Sequence, residues 1–159
     1  MKRFLLPSVW IIGWLAIDEE HFAILDSING CVDAYDDGRV QDYEHRLDAL
    51  VGQVRGHFDH EESAMAELAY PGLAWHRDHH QDSLARLTAI RASCAKKGFA
   101  DEEDVMALFH EFLADIAKAD LRFQTHLQEQ GRLTQAEIEH VRRLFHEAGA
   151  AGTPPPVGG

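Results

Sequence analysis

The strongest constraint on this chain lies between His57 and His80, where histidines and carboxylates recur four residues apart on otherwise apolar stripes. The segment reads His57-Phe58-Asp59-His60-Glu61-Glu62, passes through Tyr70-Pro71, and resumes as His76-Arg77-Asp78-His79-His80. On an α-helix a spacing of four turns a side chain by only about 40°, so His57 with Glu61 and His76 with His80 each form a two-toothed clamp. Buried polar groups are costly unless satisfied. Imidazole nitrogens paired with carboxylate oxygens suit iron, manganese or zinc, and two clamps on facing helices would share one bundle interior.

The chain has 159 residues, enough for one domain with a core that needs no disulfide or metal merely to fold. Lys+Arg 15 against Asp+Glu 27 gives a formal net charge of -12, which argues against nucleic acid or an anionic membrane as partner. Cys31 and Cys94 sit inside helical patterns and read as buried thiols rather than a disulfide framework. The start, from Met1-Lys2-Arg3 to Ala16, imitates a signal peptide but has no small-x-small site before Asp18-Glu19-Glu20, and its apolar run is too short to span a bilayer. A cytoplasmic protein is expected.

Residues 1–16 read as an extended arm across the fold, with Pro7 opposing a helix and Trp10, Ile11, Ile12 and Trp14 offering apolar surface. Helix A runs from about Ile17 to the Gly38 stop, with Ile17, His21, Ile24, Leu25, Ile28, Val32 and Tyr35 on one stripe. Helix B spans about Val40 to Ala69, and helix C about Ala74 to Lys96. Helix D starts from an Asp101 N-cap and continues unbroken through Val105, Leu108, Phe112, Ile116, Asp120, Phe123 and Leu127 to about Gln130. The capping box Thr134-x-x-Glu137 signals a short fifth helix within 131–148, and 149–159 reads as a disordered tail. The expected fold is all-α: an up-down-up-down antiparallel four-helix bundle over 17–130, with the N-terminal arm and C-terminal helix added.

These motifs resemble the hemerythrin family of non-haem iron proteins, over roughly residues 10 to 127. The resemblance rests on Gly13-x-x-x-Ile17-Asp18-x-x-His21, on His57-Phe58-x-x-Glu61-Glu62, and on Tyr70-Pro71 leading to His76-x-x-x-His80. It implies two iron ions, oxo- or hydroxo-bridged, although these ligands also admit manganese or zinc. Residue by residue, it implies His21 and His57 on one metal, His76 and His80 on the other, and Glu61 and Asp120 bridging the two.

Helix D departs from the family. The expected His-x-x-x-x-Asp reads Asp115-Ile116-Ala117-Lys118-Ala119-Asp120, and Glu111 stands where a tryptophan is common. The seventh ligand place falls to Asp115, whose extra negative charge favours ferric over ferrous iron. An aspartate is shorter than a histidine, so three arrangements stay open: direct ligation after a small helix shift, a bridging water, or Glu111 in its place.

His60 and His79 are turned about 100° from their ligand neighbours and read as solvated surface. His45, His110, His126, His140 and His146 read as surface or satisfied residues, and Glu62 as facing a loop or another helix. Phe58, Phe112 and Phe123 are core residues that would also wall a metal pocket. The resemblance implies a binder of dioxygen or a similar small ligand, as carrier, store or sensor. A sensor would need a protein partner. The rival readings are an oxidase, peroxidase or nitric-oxide-reacting enzyme, an iron store or iron-responsive module, and a bundle whose site has decayed.

Overall fold

The computed structural model describes residues 1–151, with side chains described to residue 146. It is all-helical among the described residues: α1 (Leu15–Asp36), α2 (Val40–Glu67), α3 (Leu73–Lys97), α4 (Glu102–Asp115), α5 (Leu121–Glu129) and α6 (Gln135–Ala151). Helix α1 packs on α2, α2 on α3, α3 on α4, and α4 returns to α1, so the four enclose a common interior. No helix among the described residues is long and apolar enough to cross a membrane.

The helix limits follow local chemistry. Gly98 ends α3 in the left-handed region at φ 73, which a residue without Cβ adopts freely. Asp101 opens α4 as half of a reciprocal capping box: its side chain accepts from the Asp104 backbone N–H, and Asp104 accepts from that of Asp101. The box expected at α6 is also present, with Thr134 Oγ1 accepting from Glu137 N at 3.2 Å and Glu137 Oε2 accepting from Thr134 N at 2.7 Å. Helix α6 continues to Ala151, so residues 149–151 are helical where a disordered tail was expected. The rest of that tail lies outside the described residues.

One long helix was expected from Asp101 to about Gln130, but the structure interrupts it with a π turn over Ile116–Asp120. In a π turn the backbone bonds i to i+5, so residues five apart come nearly one above the other. In an unbroken α-helix they would diverge by about 140°. The turn therefore lets Asp115 and Asp120 both face inward, and both are buried.

The arm is mostly extended but carries a short 3-10 turn at Ser8–Trp10. Ile11 and Ile12 are buried, and Phe4 stacks on Phe109 with ring centroids 4.0 Å apart. Asp18 fixes the arm to α1 by accepting the backbone N–H groups of Ile12 (2.9 Å) and Gly13 (2.8 Å). Gly13 adopts φ 87, and a Cβ there would lie 2.6 Å from Ile138 Cγ1. Only glycine lets α6 approach so closely. Cys31 and Cys94 are free and buried, as expected.

The apolar core falls into layers. Leu47, Leu50, Val54, Phe58, Leu108, Phe112 and Ile116 belong to the larger cluster, and Met65, Phe123, Leu127, Leu133 and Ile138 to a second. Along α2 Glu61 falls between Phe58 of the first cluster and Met65 of the second, and after α4 Asp120 falls between Ile116 and Phe123. A cluster of histidines and carboxylates is thereby sealed on both sides by apolar side chains.

Candidate metal centre

Four helices and the π turn supply the cluster. His21 comes from α1, His57 and Glu61 from α2, His76 and His80 from α3, Asp115 from the end of α4 and Asp120 from the π turn. All are buried, with none more than 4% exposed. Atoms of six of the seven sort into two groups capable of holding a cation, His21-His57-Glu61 and Glu61-His76-His80-Asp120, and Asp115 falls outside both. Glu61 is common to both.

The carboxylate oxygens divide between the two halves. Glu61 Oε1 lies 3.6 Å from His57 Nε2 and 3.9 Å from His21 Nε2. Glu61 Oε2 lies 3.3 Å from His80 Nε2 and 3.5 Å from His76 Nε2. Asp120 repeats the pattern, with Oδ2 3.2 Å from His21 Nε2 and Oδ1 3.5 Å from His76 Nε2. Ligands bound at about 2.1 Å to one ion lie about 3.0 Å apart in octahedral and about 3.4 Å in tetrahedral geometry. The observed separations are close to those of shared coordination.

These contacts are near but out of line. His21 Nε2, His57 Nε2, Glu61 Oε2, His76 Nε2, His80 Nε2, Asp115 Oδ1 and both Asp120 oxygens are buried without a hydrogen-bond partner among the described residues. Each unsatisfied group costs about 1–3 kcal/mol. Cations shared between the two groups would satisfy them together, and the donor types and spacing fit such ions. The outward nitrogens of two histidines are already held: His57 Nδ1 lies 2.7 Å from Glu20 Oε2, and His80 Nδ1 lies 2.9 Å from Glu62 Oε1. Such contacts orient the ring and select the tautomer that leaves Nε2 as ligand. Phe58 adds a stacked face to His80, with centroids 3.7 Å apart and planes at 5°.

Electrostatics agree with a cation site. Burial, with the charges of Asp120 and Asp115 added, pushes the Glu61 carboxyl well above its usual range. Burial and Asp120 push Asp115 up to about 7, against a lowering contact from His79. Burial opposes charge on His21 too, but Asp120 and Asp18 outweigh it and carry His21 up to about 9. Burial likewise opposes the Asp120 carboxylate, yet His21, His76 and His57 hold it down at about 2. Burial alone dominates at His76, held at about 4, and burial with His76 depresses His80 to about 2. The cluster's own charges thus settle as one ion pair, His21 with Asp120, among groups biased towards neutrality. A metal ion reverses that balance by displacing the His21 proton and favouring the ionised carboxylates.

Asp115 Oδ1 lies 3.8 Å from His80 Nε2 and 3.2 Å from His79 Nε2. The expectation that His79 is solvated surface is therefore corrected: its side chain is only 11% exposed, because a 100° turn from His80 still faces α4. His60 does lie at the surface, 69% exposed, where its Nδ1 meets Glu20. Glu111 is drawn outward, its Oε2 accepting from Arg86 Nε at 2.6 Å. His45, His110, His140 and His146 are exposed, and half-buried His126 packs beside Tyr70.

Sequence reasoning missed Glu20 and the approach of His79. Glu20 was detectable in principle, since a ligand histidine needs an acceptor for its second nitrogen and Glu20 directly precedes His21. Its partner is nevertheless His57, 37 residues away.

No family profile matches the chain, and no solved structure matches it. The chain is 31% identical over 98 residues to a bacteriohemerythrin of Methylococcus capsulatus, covering 62% of this chain and 72% of that protein. That relative and the buried histidine and carboxylate cluster together fit a non-haem di-iron protein. On that similarity, with the motifs of α1, α2 and α3 meeting in one buried cluster, the chain belongs to the hemerythrin family.

Proposed function

We propose that this protein holds two iron ions in an up-down-up-down bundle and binds dioxygen or a ligand of similar size. His21 and His57 serve one ion, and His76, His80 and Asp115 the other, with Glu61 and Asp120 bridging. The observation that carries the reading is the division of oxygens, one of Glu61 and one of Asp120 turned to each half. When bound, a pair of iron ions supplies reversible redox capacity to a small ligand. Manganese or zinc would fill the same donors without that role.

The surrounding residues support a small, dry ligand site. A cavity of about 20 Å³ lies against His57 and Asp115, walled by Ile24, Leu50, Phe58 and Phe112. A single water needs roughly 10–15 Å³, so the cavity is on the scale of one very small molecule. Glu20 and Glu62 orient His57 and His80, and the apolar layers exclude bulk water from the cluster. A cytoplasmic location is part of this proposal.

The Asp115 carboxylate supports a second reading, oxidation chemistry, because its charge favours ferric iron. An optical spectrum of anaerobically iron-loaded protein, before air, in air and then under vacuum, separates the two. An oxygenated band that vanishes under vacuum supports carriage, storage or sensing. Immediate irreversible conversion to the ferric spectrum refutes reversible binding and favours the enzyme reading.

A further inference from the structure

We propose that His79 is a positioning residue for the second metal, holding the Asp115 carboxylate towards His80 and so taking over from α3 the place of the imidazole that α4 lacks. This rests on the two-metal reading above. His79 Nε2 and Asp115 Oδ1 are each buried without a hydrogen-bond partner among the described residues, and they face one another at 3.2 Å. The same Asp115 oxygen is the one turned towards His80 Nε2. A modest ring rotation aligns the His79 N–H as donor to Asp115, satisfying both atoms at once.

The ring is held for that task. Trp75, one turn earlier on α3, stacks on His79 with centroids 5.7 Å apart and planes at 11°. The Arg122 guanidinium lies 4.3 Å from the centre of the Trp75 ring, tying this stack to α5 just after Asp120. Trp75 is 41% exposed, so it spends an aromatic surface on fixing His79 rather than on filling the core.

Direct ligation by His79 is the weaker geometry. Adjacent helix residues diverge by about 100°, and His80 already points at Glu61. Neither His79 nor Asp115 falls within the groups whose atoms converge on one point, and His79 Nε2 faces Asp115 rather than those groups. As hydrogen-bond donor, by contrast, it compensates for a short aspartate and offsets part of its added charge.

The test is an anaerobic Fe2+ titration by calorimetry of the full chain, His79→Leu and His79→Gln, with far-ultraviolet circular dichroism to check folding. The wild type should bind two equivalents. His79→Leu should weaken only one of them, by 10- to 100-fold as for other residues that orient a ligand, and His79→Gln, which can still donate, should recover most of the loss. Equal weakening of both equivalents, or none, overturns the positioning role. Loss of a whole equivalent in both variants makes His79 a ligand itself and also overturns it. A wild type that binds fewer than two equivalents refutes the two-metal reading instead. If His79→Leu does not fold, His79→Gln and Trp75→Leu carry the test: near-normal binding in the first with a weakened second site in the other is expected, and the reverse pattern refutes it.

Discussion

Replacing Glu61 by glutamine should separate the role of this carboxylate in folding from its role in metal binding. Burial and the nearby Asp120 and Asp115 already bias Glu61 towards its neutral form, and Oε2 has no hydrogen-bond partner among the described residues. Glutamine has nearly the same shape and is neutral, so the metal-free Glu61→Gln protein should keep its stability within about 1 kcal/mol. With iron present the outcome should differ, because one oxygen of Glu61 faces each half of the site. If losing that charged bridge weakens binding about 100-fold, saturating iron should stabilise the variant by about 2.7 kcal/mol less than the wild type. For a chain of this size that is roughly 5–11 °C in melting temperature. Thermal melts of both proteins, chelated and iron-loaded under nitrogen, give all four values. A drop of more than about 2 kcal/mol without iron would mean that Glu61 anchors the fold as an ion. An undiminished response to iron would refute the bridging role.

The metal-free protein should lose stability as pH rises from neutrality through 9. His21 is raised to about 9 from its ordinary 6.5, so its proton stabilises the fold fully below 6.5 and that contribution disappears as His21 deprotonates. Denaturant melts across this range check it, and a flat profile would contradict the His21–Asp120 pair. Gly13→Ala should cost about 2–5 kcal/mol, from a left-handed backbone and a Cβ pressed onto Ile138, with urea unfolding as the measure. Glu20→Ala should weaken iron binding roughly 10- to 100-fold by freeing the His57 ring, whereas His60→Ala, at the surface, should leave it nearly unchanged. Equal effects in an iron titration would remove the distinction.

The parts of this protein legible in its sequence are those set by local periodicity. The clamps of His57 with Glu61 and His76 with His80 lie four apart, and Gly38, Gly98 and the Thr134 capping box punctuate the helices through chemistry contained in a few residues. The π turn was not legible: nothing within Ile116–Asp120 announces it, and its consequence, two carboxylates five apart facing one interior, follows from packing rather than propensity. Glu20 and His79 were misread or overlooked for a related reason. A helical wheel tells which way a residue points on its own helix, but not that Glu20 reaches α2 or that Asp115 on α4 meets His79.

In the proposed site two metal ions are joined through Glu61 and Asp120. The most direct test is iron per chain counted on anaerobically loaded protein, with electron paramagnetic and Mössbauer spectra of the same sample after oxidation. Two irons per chain, with the paramagnetism of isolated ferric ions suppressed by coupling between them, is the predicted result. One iron per chain, or two showing the full signal of uncoupled ferric ions, would contradict a shared, carboxylate-bridged site.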